Sequence, residues 1–187
     1  CADDHAEHVE EEAKMAVSEA ELKAIVSAVV AQVKTGEDIP KAQLGIFNDT
    51  NTAIAAAKDA QKIMQRMPMD MREKIISKIR ELTKENAEIL AKMAVEETGM
   101  GNVGDKILKH QLLAEKTPGT EDITTTAWSG DRGLTLIEMG PFGVIGAICP
   151  CTNPSETVLC NAIGMLAGGN TVVFCPHPQA ITTPFYA

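Results

Sequence analysis

Apolar positions over residues 19–34 recur at Leu22, Ile25, Val26, Val29, Val30 and Val33, steps of three and four that fall on one face of a helix. Ser18 and Glu21 stand before them at the spacing of a capping box, in which hydroxyl and carboxylate satisfy the free N–H groups of a helix start. The pattern predicts an amphipathic helix over 19–34. Thr35–Pro40 (TGEDIP) is polar and turn-like and reads as a linker. A short amphipathic helix on a tether suits docking to a partner; the competing reading packs it on its own domain.

The pattern continues with a helix over Asn51–Met67, halted by Pro68. A third helix, opened by Asp70 and Glu73, carries Met71, Ile75, Ile76, Ile79 and Leu82. A fourth runs from Asn86 to Thr98, where Gly99 can take the left-handed C-cap. A short helix around Lys106–Leu113 precedes the turn Thr117-Pro118-Gly119, and Leu134–Met139 alternates as a strand does. Val144–Cys149 is a short apolar run stopped by Pro150. Val172–Cys175 repeats it after Gly168-Gly169-Asn170, and Glu156–Ala167 between them is of helix length. Two strands joined by one helix make a βαβ unit, whose right-handed crossover puts both strands in one parallel sheet. The predicted fold is α/β: a helical N-terminal part leading into a parallel, Rossmann-like sheet. Polar residues collect after the first strand of the unit, at the carboxyl end where parallel sheets bind ligands.

Composition changes this picture little. Of the 187 residues 44% are hydrophobic and 23% charged, as in ordinary soluble domains, and only 3% are aromatic, so the core is built from Ala, Ile, Leu, Val and Met, which suits helices on a sheet. The net charge is −9; removing the six acidic groups of residues 1–12, which hold no Lys or Arg, leaves −3. Residues 1–18 are an acidic tail, and no basic patch argues for nucleic acid. No apolar run reaches membrane-spanning length, and an acidic N-terminus is the opposite of a signal peptide. With five cysteines, four of them between 149 and 175, the chain reads as a cytoplasmic protein with reduced thiols. No methionine opens the sequence, and Met15 is a candidate start.

Gly99-Met100-Gly101-Asn102-Val103-Gly104 matches the dinucleotide fingerprint letter for letter. It follows a predicted helix where the fingerprint must follow a strand, so the glycines are expected to form a helix–helix turn. Cys149, Cys151, Cys160 and Cys175 lack zinc-ribbon spacing, and no metal site is expected. Cys149, Cys160 and Cys175 are read as small core residues, and Cys151 as an oxidisable loop thiol. In Pro150-Cys151-Thr152-Asn153-Pro154, Asn153 can act as N-cap, Pro154 as first helical residue and Glu156 as capping partner.

PFGVIGAI-x-P-x-TNP followed by GN-x-VVF-x-PHP resembles the aldehyde dehydrogenase superfamily. Together with EETGMGNVGDKILKH and TPGTEDITTTAWSGDRGLTLIE, the segments over Gly36–Pro178 are similar to its CoA-acylating acetaldehyde and propionaldehyde dehydrogenases of bacterial microcompartments. The resemblance implies oxidation of a short-chain aldehyde to acyl-CoA, with NAD and coenzyme A as cofactors. It implies that an asparagine in the 150–154 loop donates its amide to the oxyanion formed when a cysteine thiolate attacks the aldehyde. Non-acylating members carry Pro-Trp-Asn there, which sets Thr152 opposite that asparagine. Asn153 is favoured on chemistry with Thr152 its competitor, and either can act in catalysis or only at the helix start. Pro150, Cys151, Pro176, His177 and Pro178 are expected to line the cofactor channel, with His177 either on a ribose or phosphate or only a turn residue. The lysine and glutamate that non-acylating members place on the ribose are missing. So is the Lys-Lys pair common after Pro178 in acylating relatives, where Ile181-Thr182-Thr183 stands here. None of Cys1, Cys149, Cys151, Cys160 or Cys175 matches the nucleophile motif.

The chain is thus expected to be the N-terminal portion of such an enzyme, with residues 41–187 the first part of its NAD-binding domain, inactive alone and homo-oligomeric at full length. Residues 19–34 would dock to the shell or other cargo in the microcompartment lumen. The rival expectation is a non-catalytic, truncated cargo or scaffold protein.

Overall fold

The computed structural model describes residues 45–187. The chain separates into two units, Cys1–Asn48 and Asp49–Ala187, and the second lies wholly within the described residues. The acidic tail, the helix expected over 19–34 and the linker after it lie outside them.

Helix α1 (Thr50–Met64) starts at Asp49, whose carboxylate accepts the Thr52 N–H at 3.0 Å. It stops before the predicted Met67 because Gln65–Met67 close as tight turns, Arg66 N–H to Ile63 O and Met67 N–H to Met64 O, ahead of Pro68. Helix α2 (Met69–Glu85) and helix α3 (Ala87–Thr98) follow. Gly99 closes α3 at φ +67°, the left-handed conformation a glycine takes without penalty. Helix α4 (Val103–Lys116) begins three residues before the expected Lys106, because Asn102 caps it by accepting the Asp105 N–H at 2.9 Å. The glycine-rich segment therefore joins two helices, as its context required.

A 3-10 turn (Thr120–Asp122) leads to β1 (Thr126–Gly130) and β2 (Gly133–Ile137), an antiparallel hairpin turning at Asp131-Arg132. Then come β3 (Val144–Ile148), α5 (Pro154–Ala167) and β4 (Thr171–Cys175), with β3 and β4 parallel in the register Val144↔Thr171 to Ile148↔Cys175. This is the predicted βαβ unit. Helix α6 (Thr182–Tyr186) ends the described chain.

The hydrophobic centre is Ile76 of α2 with Ile163 and Ala167 of α5, flanked by Ile79, Leu113 and Ile123. Two side-chain amides set the level of the parallel pair. Gln61 of α1 accepts the Thr171 N–H at 2.7 Å and donates to Gly169 O at 2.9 Å, while Asn170 Oδ1 accepts the N–H groups of Phe142 and Gly143 at 2.6 and 2.9 Å. Of the three cysteines expected in the core only Cys149 is buried. Cys160 is exposed in α5, its Sγ accepting from the Thr117 hydroxyl at 3.8 Å, and Cys175 ends β4 exposed.

Candidate active site at the carboxyl end of the parallel pair

Strands β3 and β4 leave the sheet at one level. The Cys149 N–H donates to Cys175 O at 3.0 Å, extending the ladder one residue past β3. Pro150 and Pro176 then follow, and neither has an N–H to continue it. Pro150–Asn153 and Pro176–Pro178 consequently emerge from the same edge.

Asn153 occupies the N-cap position of α5 and Pro154 its first turn, but the Asn153 side chain makes no capping bond. Its Oδ1 instead accepts from Lys109 Nζ at 3.3 Å. An ammonium only donates, which assigns the oxygen to that contact and leaves the –NH2 end of the amide as a donor. Glu156 is not the capping partner expected. Its carboxylate is buried, 7% exposed, and takes Lys106 Nζ at 3.4 Å on one oxygen and the Ser155 hydroxyl at 3.3 Å on the other. The physical reason is competition: a buried lysine offers a carboxylate a stronger partner than an N–H of the helix start.

Lys106 is 2% exposed, and its ammonium also donates to Thr152 O at 3.0 Å. His110, one turn further along α4, is fully buried. Its Nδ1 lies 2.7 Å from Lys106 O and its Nε2 2.9 Å from Ser155 Oγ. A carbonyl only accepts, so Nδ1 carries a proton, and the Ser155 hydroxyl, with one proton of its own, stands between His110 Nε2 and Glu156 Oε2. One face of α4 thus grips residues 152, 153, 155 and 156. This network was missed in the sequence. Its signal was the spacing Lys106, Lys109 and His110, three and four apart, within a predicted helix otherwise read only for its apolar positions.

Thr152 is exposed and Cys151 half-buried. Burial pushes the Cys149 thiol up, with neighbouring Cys175 adding to the effect, so Cys149 lacks the thiolate character of a nucleophile. At the second loop His177 Nδ1 accepts the Gln179 N–H at 3.1 Å, which leaves Nε2 as the ring's possible donor. Among the described residues no group of three or more His, Cys, Asp or Glu is arranged to hold a metal. Nor is any helix there long and apolar enough to cross a membrane.

The sequence model of the aldehyde dehydrogenase family matches residues 20–186. An acetaldehyde dehydrogenase (acetylating) of Bilophila wadsworthia is 52% identical over 136 residues, 73% of this chain and 28% of its own. The solved propionaldehyde dehydrogenase of the Clostridium phytofermentans fucose utilisation bacterial microcompartment is 77% identical at a TM-score of 0.74, over 76% of this chain and 33% of that one. The Rhodopseudomonas palustris propionaldehyde dehydrogenase, solved with bound propionyl-CoA, is 51% identical at a TM-score of 0.74, over 76% and 32%. The chain spans about a third of the length of these relatives.

Proposed function

Because this chain belongs to the aldehyde dehydrogenase family, we propose that it is the N-terminal portion of a CoA-acylating enzyme that oxidises acetaldehyde or propionaldehyde to acyl-CoA with NAD. The observation that carries the reading is the place of Asn153, after the carboxyl end of β3, with its amide oxygen taken by Lys109 so that the –NH2 end is left as a donor. Aldehyde attack by a thiolate develops negative charge on the carbonyl oxygen. A fixed amide donor stabilises that charge without a proton to lose, an effect on the order of 3 kcal/mol. Thr152 is the weaker candidate, because a hydroxyl rotor is less preorganised.

The residues present fit a nucleotide. His177 is fixed by the Gln179 N–H with an Nε2 donor suited to a ribose or phosphate oxygen, and Pro150, Cys151, Pro176 and Pro178 wall the same edge without adding charge. When bound, the nicotinamide nucleotide accepts hydride and CoA accepts the acyl group. This chain's own part is to orient the aldehyde oxygen at Asn153 and to seat the nucleotide at the two loops. The nucleophilic cysteine lies outside residues 45–187. Residues 41–187 form the first part of the NAD-binding domain, after the acidic tail (1–18), the docking helix (19–34) and the linker (35–40). That helix would deliver the homo-oligomeric enzyme to a cytoplasmic microcompartment lumen, through its shell or other cargo.

The test is NADH formation at 340 nm from propionaldehyde by the full-length protein carrying this chain, with and without CoA, and mass analysis of the acyl-CoA. Turnover that requires both CoA and aldehyde is expected. No turnover would leave the non-catalytic cargo reading in its place.

A further inference from the structure

Building on the reading of residues 150–154 as the oxyanion loop, we propose that Lys106 is the positioning residue of that loop. Its ammonium bridges Thr152 O at 3.0 Å and Glu156 Oε1 at 3.4 Å, one partner before the helix start and one in its first turn, so it spans the corner between β3 and α5. A peptide group is planar and trans. Holding the Thr152 carbonyl toward α4 therefore points the Asn153 N–H the opposite way, away from α4, and settles the path on which the Asn153 side chain starts. Lys109, on the same face of α4, takes that side chain's oxygen at 3.3 Å. The His110–Ser155 bond of 2.9 Å pins the turn that follows.

The energetics favour positioning over stability as the role. Lys106 and Glu156 have side chains only 3% and 9% exposed, and a buried ion pair stabilises a fold no better than an apolar pair of the same volume, because desolvation offsets the attraction. An apolar pair cannot hold a backbone carbonyl, which is what the ammonium does at Thr152. Breaking the pair on one side leaves a buried, uncompensated charge, so Lys106→Met alone risks misfolding, and Lys106→Met/Glu156→Gln removes both charges together.

The experiment compares this double variant with the unaltered full-length enzyme by steady-state kinetics and by amide hydrogen exchange. The expected result is a kcat lower on the order of 10²-fold, the cost of a misplaced catalytic group, with the KM values for NAD and CoA little changed. Exchange should be faster at Thr157, whose N–H donates to Asn153 O at 3.1 Å, and unchanged in α2 and α3. Unchanged exchange at Thr157, an unchanged kcat in an active enzyme, or faster exchange spread over the whole domain would each overturn the proposal. If the unaltered enzyme shows no CoA-dependent turnover, the functional reading fails by itself. Exchange at Thr157 then decides whether Lys106 orders the loop.

Discussion

Glu97 shows how much a single side chain organises. From the last turn of α3 its carboxylate accepts the N–H groups of Ile181, Thr182 and Thr183 at 2.6–2.8 Å and the Thr183 hydroxyl at 2.7 Å, tying α6 to α3. Desolvation pushes its pKa up, but the Thr183 hydroxyl and the three N–H groups outweigh it and pull the carboxyl down to about 2. A carboxyl depressed in the folded state stabilises above its unfolded pKa and loses that contribution as pH falls through the folded value. Glu97→Gln should therefore be less stable than the unaltered chain at pH 6, with the gap closing between about 4.5 and about 2; thermal unfolding across that range would show it, and a gap independent of pH would contradict it. Cys149, buried with its thiol pushed up, should resist iodoacetamide at pH 7.5 while Cys160 and Cys175 react, as peptide mass mapping reads. Residue roles were only partly legible in the sequence. Pro154 at the helix start and Gly99 at a helix end follow from local backbone chemistry. The pairings of Glu156 with Lys106 and of Asn153 with Lys109 join residues 50 and 44 apart, and local capping rules do not reach that far.

Elements were more legible, because periodicity and breakers act over the same few residues that fold together. The βαβ unit from Val144 to Cys175 announces itself through two short apolar runs, each closed by a proline. The strand Thr126–Gly130 escaped because Thr-Ala-Trp-Ser-Gly does not alternate apolar with polar, and all five of its residues are exposed. Its partner β2 does alternate, which predicts a strand over Leu134–Met139; the strand runs Gly133–Ile137. What holds these elements at their level is again distant in sequence: Gln61 meets the backbone at 169 and 171. Gln61→Ala leaves Gly169 O without its donor and the Thr171 N–H with Gly143 O alone at 3.1 Å, and should cost about 1–3 kcal/mol in urea unfolding. Gly169 has φ +78°, and a Cβ there would lie 2.9 Å from Arg72 Nη1, whose guanidinium donates to Ala167 O and Met64 O. Gly169→Ala should lower stability by roughly 1–3 kcal/mol. A variant as stable as the unaltered chain would show that Arg72 yields freely.

Over the whole molecule, large apolar side chains remain uncovered. Phe142 is 96% exposed, Ile148 88% and Met139 75%, and the parallel sheet has two strands among the described residues, so strand edges stand open. The 187-residue chain by itself should associate in light scattering after gel filtration, and a monodisperse monomer that unfolds cooperatively would contradict this. The family and fold were readable from separated motifs in the right order. The site was readable only as two loops, because the α4 face that grips one of them appears only once α4 is packed against α5. The account turns on the amide of Asn153 as oxyanion donor, and kcat for acyl-CoA formation by the full-length protein with Asn153→Ala beside Thr152→Val tests it most directly. The predicted result is a loss on the order of 10²–10³-fold for Asn153→Ala and a small change for Thr152→Val. Full activity in Asn153→Ala, or the large loss falling on Thr152→Val, would contradict it.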